Sequence, residues 1–142
     1  MTTVVLGLGS NVACHGMCPE EILRAACGVL AVRLGGFRAS SVHRTRPMYR
    51  QDQADFYNLV CVGAWGGTAA ELLAWTQGVE ADFGRDRTRE MRNGPRTLDI
   101  DIEFFGDRQI HTPELTVPHP RILERPFVIK PLLEILANTA DD

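Results

Sequence analysis

Apolar positions along this chain follow two periods. From Leu98 to Phe105 they alternate, Leu98, Ile100 and Ile102 interleaving with Asp99, Asp101 and Glu103. That is the period of a strand, here from Thr97 to Phe105, with one core face and one acidic face. Further strands are predicted over Thr3–Leu8, running into Gly9-Ser10-Asn11, over Phe37–Thr45 and over Phe56–Trp65. Helical spacing takes over from about Pro19, where Ile22, Leu23, Ala26, Val29, Leu30 and Leu34 form a stripe and Gly35-Gly36 stops it. A second helix starts at Thr68, whose partner Glu71 three residues on makes a capping box, and ends at Gly84. Leu72, Leu73, Thr76, Val79 and Phe83 are its core face. Gly106-Asp107 predicts a tight turn into a short strand near Ile110, and a last helix spans about Phe127–Ala137, with Pro131 in its first turns. The order β-α-β-β-α-β plus an appendage is the split βαβ, ferredoxin-like pattern.

The acidic strand is the most informative stretch. Asp is among the poorest strand formers, so two on one strand face imply a cation. Same-face neighbours on a strand lie about 7 Å apart, and carboxylates at that separation can straddle a pair of divalent ions. All-oxygen ligands suit Mg²⁺, which keeps waters and borrows substrate phosphates. Upstream stand Arg85, Arg87, Arg89, Arg92 and Arg96, whose planar forks suit phosphate. Read without the arginines, Asp-x-Asp is better explained as the wet face of an amphipathic strand.

At 142 residues the chain is expected to be one domain, residues 1–142, with a self-sufficient core. Its net charge of −3 gives no basic surplus for nucleic acid. No apolar run is long enough to span a membrane, and Met1-Thr2-Thr3-Val4-Val5 lacks a signal-peptide layout, so a cytoplasmic location is expected. Cys14, His15 and Cys18 invite a zinc reading, but a closed site needs a second pair of ligands at regular spacing. Cys27 and Cys61 read as small apolar residues.

Gly94-Pro95-Arg96-Thr97-Leu98-Asp99-Ile100-Asp101, followed by Leu115-Thr116-Val117-Pro118-His119-Pro120, resembles the signature of the 6-hydroxymethyl-7,8-dihydropterin pyrophosphokinase family. The likeness runs from Gly9-Ser10-Asn11 to Pro131-Leu132-Leu133. It implies an α+β fold, a three-layer α/β/α arrangement around a mainly antiparallel sheet. It implies transfer of pyrophosphate from ATP to the hydroxymethyl group of a dihydropterin in folate biosynthesis, with release of AMP. ATP would be the co-substrate and two Mg²⁺ ions would sit on Asp99 and Asp101, with Arg85 and Arg96 also in the catalytic set. Nucleotide contacts are implied at Gln77, Glu80, Arg85, Arg87, Arg96, Thr116, His119 and Arg125. The pterin would be held by Thr45, Phe56, Asn58 and Phe127, with main-chain groups near Met48. Small molecules would be the only partners, without nucleic acid or membrane, and the chain would act as a monomer.

Chemistry agrees with those assignments in kind. Asn58 carries both a donor and an acceptor for a pyrimidinone edge, and Phe56 and Phe127 could sandwich a flat ring. Gln77 and Glu80 lie one helical turn apart. The chain departs from the family at Asn93, where a Trp is common, at Arg46, Glu114 and Pro120, and in an arginine loop one residue longer. The competing readings are an RNA-binding module of the same topology, against which the acidic strand argues because without metal it would repel a phosphate backbone, and another Mg²⁺-dependent enzyme acting on nucleotides.

Overall fold

Side chains on β1 (Thr2–Ser10) decide what lies on each side of the sheet. Val4, Leu6 and Leu8 point one way into a large core, while the other face carries Val5 and then only glycine, at Gly7 and Gly9. In this computed structural model, which describes residues 1–47, 52–86, 88 and 94–140, β1 is a central strand. It pairs antiparallel with β4 (Phe56–Trp65) on one side and β5 (Asp99–Phe105) on the other. Beyond β4 lie β2 (Gly35–Ala39) and, further along the same strand, β3 (His43–Thr45). The spatial order β2-β4-β1-β5, all antiparallel, is the order of the split βαβ pattern. A small ribbon of β6 (Ile110–His111) and β7 (Thr116–Val117) follows.

Two helices cover the aliphatic face. Ile22, Leu23, Ala26 and Leu30 of α1 (Pro19–Arg33) and Leu72 and Val79 of α2 (Ala69–Asp82) pack with Leu6, Leu8, Leu59, Ile100 and Ile102. The capping box on α2 forms as expected, the Thr68 hydroxyl accepting the Glu71 N–H at 3.1 Å and the Glu71 carboxylate accepting the Thr68 N–H at 2.9 Å. The third helix, α3 (Pro126–Ala140), lies on the opposite face, where Val128 and Ile135 close over Val5 and Val60. It covers only part of that face, and the site occupies the remainder.

The expected strand Phe37–Thr45 is two strands. Ser40 breaks it, because its hydroxyl accepts the Val60 N–H at 3.0 Å while its own N–H donates to the Val60 carbonyl at 2.8 Å. Gly35-Gly36 does not stop α1 but opens β2. The ladder shifts register there, Gly36 takes a φ of +60° that suits glycine, and Leu34 ends the helix by turning to extended backbone angles after its last helical bond to the Leu30 carbonyl. The acidic strand begins at Asp99 rather than Thr97.

Candidate functional site

Three adjacent strands present one residue each, row by row, to the uncovered face. In the first row Asn58 of β4 and Asp99 of β5 flank Gly9, and in the second Val60 and Asp101 flank Gly7. The middle strand is therefore a bare floor. A Cβ at Gly9 would stand 3.1 Å from Asn58 Oδ1, and one at Gly7 would stand 2.6 Å from Glu103 Oε1. A cleft lies over this floor. Thr45, Arg46, Gln53, Phe56, Asn58, Arg96, Asp99, Asp101, Glu103, Arg125 and Phe127 border it.

The acidic wall is held by two arginines from opposite sides. Arg85 Nη1 donates to Asp99 Oδ1 at 2.8 Å and to Glu80 Oε2 at 2.6 Å. Arg125 Nη1 donates to Asp101 Oδ2 at 2.9 Å and Glu103 Oε1 at 3.1 Å. The arginines do not cancel the crowding. Burial, and after it the charge of Asp101, push the Asp99 carboxyl up to about 6, and the same causes push Glu103 up to about 8. Asp99 and Asp101 nevertheless keep 35% and 29% of their side-chain surface open. Two crowded, reachable carboxylates with an all-oxygen donor set fit a hard divalent cation. Among the described residues no group of three or more His, Cys, Asp or Glu stands together for a metal. Any cation on the pair would then complete its shell with water or ligand oxygens. Cys14, His15 and Cys18 form no such group either.

On the other wall Asn58 Nδ2 donates to the Thr45 hydroxyl at 2.7 Å, which turns its Oδ1 toward Gly9. Phe56 and Phe127 are half-buried at the cleft rather than sunk in the core. The Arg125 guanidinium lies 5.3 Å from the Phe127 ring centroid, a cation–π distance.

The structure thus gathers Thr45, Phe56, Asn58, Arg96, Asp99, Asp101, Arg125 and Phe127 around one cleft. Gln77, Glu80 and Arg85 border a separate depression with Ala81 and Asp86, joined to the acidic wall through the Arg85–Asp99 pair. Glu80 is only 1% exposed and turns inward, its Oε2 accepting the Ile100 N–H at 2.7 Å. Thr116 and His119 lie outside the cleft wall. His119 Nδ1 accepts the Arg121 N–H at 3.2 Å, so the neutral ring carries its proton on Nε2 as a donor. Burial, and then Arg125, bring its pKa down to about 4. Met48, Arg87, Asn93 and the neighbouring Arg89 and Arg92 lie outside the described residues.

Sequence reasoning left four features out of the candidate site. Glycines at every second position of β1 were legible as a bare strand face, and Glu103 followed the same alternation as the aspartates. Arg46 and Gln53 sit on a polar loop with no period to flag them. Asn11 joins the cleft's two rims, donating to Gln53 Oε1 at 2.9 Å and the Ala54 carbonyl at 3.0 Å and accepting the Arg96 N–H at 2.9 Å.

Residues 5–137 match the model of the family described as 7,8-dihydro-6-hydroxymethylpterin-pyrophosphokinase (HPPK). The chain is 42% identical over 134 residues to the 2-amino-4-hydroxy-6-hydroxymethyldihydropteridine pyrophosphokinase of Bacillus subtilis, covering 92% of this chain and 75% of that protein. It is 38% identical over 140 residues to the protein of the same name from Synechocystis, covering 96% of this chain and 68% of the relative. It is also 38% identical over 132 residues to the folic acid synthesis protein fol1 of Pneumocystis carinii, covering 93% of this chain but only 17% of that longer protein. An α+β pyrophosphokinase is the class these matches specify, and the chain belongs to the 7,8-dihydro-6-hydroxymethylpterin-pyrophosphokinase family. Its family activity is pyrophosphate transfer in folate biosynthesis, with ATP as co-substrate and small molecules as ligands. No helix among the described residues is long and apolar enough to cross a membrane.

Proposed function

We propose that the glycine-floored cleft is the active site in which the hydroxymethyl oxygen of 6-hydroxymethyl-7,8-dihydropterin attacks the β-phosphorus of ATP. The observation that carries this reading is the row Asn58–Gly9–Asp99. It sets an amide suited to a pterin edge two strands from a carboxylate suited to a cation–phosphate complex, with only backbone between them. In the transfer a bond forms from the alcohol oxygen to the β-phosphorus. The bond from the β-phosphorus to the bridging oxygen of the α-phosphate breaks, and AMP leaves with that oxygen. The alcohol proton passes to solvent or to a phosphate oxygen.

The chain's own residues mainly position and neutralise. Asn58 and Thr45 read the pterin edge, and Phe56 and Phe127 sandwich its ring. Asp99 and Asp101 would hold Mg²⁺, two ions in our reading, which supplies charge neutralisation and acidifies the attacking hydroxyl. Arg85, Arg96 and Arg125 meet the phosphates, as does His119 through Nε2–H. The depression bordered by Gln77 and Arg85 takes the nucleoside end, because Arg85 is common to it and to the Asp99 pair. Arg87 and main-chain groups near Met48 complete the ligand set on the sequence reading alone. The chain works as a cytoplasmic monomer without nucleic acid.

Product analysis tests this reading. Protein mixed with ATP, Mg²⁺ and the pterin alcohol should release AMP in step with pterin consumption. Release of ADP would mean attack at the γ-phosphorus and would overturn it.

A further inference from the structure

We propose that Glu103 is a positioning residue that holds Arg125 in the cleft wall when Asp101 is taken by another ligand. This rests on the reading above, in which Arg125 meets the nucleotide phosphates.

Glu103 has no exposed surface. The β1–β5 ladder passes from the pair Leu6–Ile102 to the pair Val5–Phe104, so Glu103 is the extra residue of a bulge. A bulge re-aims a side chain, and here the carboxylate is aimed at Arg125. Its Oε1 accepts Arg125 Nη1 at 3.1 Å, and its Oε2 is buried with no hydrogen-bond partner among the described residues. The strand also makes room for it, since any side chain at residue 7 would place Cβ 2.6 Å from Oε1.

That is an expensive way to fill a buried strand position. A half-partnered buried carboxylate costs stability that an aliphatic residue would not. Its return is visible in the Arg125 bonds. The same Nη1 serves Asp101 Oδ2 at 2.9 Å, and in our reading that carboxylate also serves the cation. A cation drawing on the charge of that carboxylate weakens its hold on Arg125. When Asp101 turns to a cation, Glu103 is the other described carboxylate bonded to Arg125, and it keeps the guanidinium over Phe127 rather than letting it swing away from the positive charge.

The test uses the full chain with Glu103→Leu, Glu103→Gln, Arg125→Ala and the double variant Glu103→Leu with Arg125→Ala. The readouts are calorimetric affinity for a non-hydrolysable ATP analogue with Mg²⁺, affinity for the pterin, and melting in chelator. Glu103→Leu should weaken the analogue about tenfold or more, as for loss of a hydrogen bond to a charged group. It should leave pterin affinity unchanged and should not lower the metal-free melting temperature. Glu103→Gln, whose carbonyl can still accept from Nη1, should recover most of the loss. In the Arg125→Ala background Glu103→Leu should cost nothing further. Unchanged analogue affinity in Glu103→Leu, with Arg125→Ala impaired, would overturn the proposal alone. Equal losses for both ligands with a lowered melting temperature would overturn it in favour of a packing role. Unchanged analogue affinity in Arg125→Ala would overturn the phosphate reading of Arg125, and the proposal with it.

Discussion

Glu80 Oε2 accepts the backbone N–H of Ile100 at 2.7 Å, pinning α2 to the residue between the two aspartates. The same oxygen holds Arg85, whose side chain is 6% exposed. Ile100 keeps its own side chain in the core on the far face, so the tie holds the outer edge of the acidic strand to α2. Glu80→Ala would leave a buried guanidinium and a buried N–H without this acceptor, a loss of about 3–5 kcal/mol for breaking a buried pair. Glu80→Gln keeps an acceptor of the same reach and should cost less than half of that. Denaturant unfolding of the three proteins checks it, and an Ala variant as stable as wild type would contradict the anchoring role.

The raised carboxyls set a pH dependence for the metal-free protein. Folding lifts Asp99 from 3.8 to about 6 and Glu103 from 4.5 to about 8, so the folded chain keeps protons that the unfolded chain has released. Such a group contributes stability at low pH that is lost as pH rises through its folded pKa. His119, lowered from 6.5 to about 4, acts in the opposite sense and adds stability as pH rises across that interval. Above pH 6.5, its ordinary value, His119 no longer contributes a slope, and Glu103 alone of these three still titrates. Unfolding midpoints in chelator should therefore fall between pH 6.5 and about 8, and Glu103→Gln should flatten that limb. A rising limb in wild type would contradict the assignment.

Asn58 separates the two substrates. Its Nδ2 is already committed to Thr45 at 2.7 Å, so its orientation is fixed before a ligand arrives. Asn58→Ala should weaken pterin binding by about 1–3 kcal/mol for each polar group left unsatisfied and leave binding of an ATP analogue nearly unchanged. Titration calorimetry with each ligand is the measurement, and equal losses would make Asn58 a structural residue.

Much of this was legible in the chain because period-two alternation and cap chemistry are local. The strand Phe56–Trp65, the Thr68 cap and the face shared by Asp99 and Asp101 follow from nearest neighbours alone. The break at Ser40 was not legible, because it depends on a hydroxyl reaching Val60 on another strand. Nor was the inward turn of Glu80, which a helix-face argument leaves free to point at ligand. The assignments at Gln77, Thr116 and His119 came from family resemblance, and none of the three lines the cleft.

The central claim is that Asp99 and Asp101 on one strand face operate the transfer. Its most direct test is single-turnover AMP formation by Asp101→Ala and Asp99→Ala with saturating ATP, Mg²⁺ and pterin alcohol, alongside unfolding curves in chelator. The account predicts that AMP formation falls by orders of magnitude in both variants while the folded state persists. Near-normal AMP formation in a folded Asp101→Ala protein would contradict it.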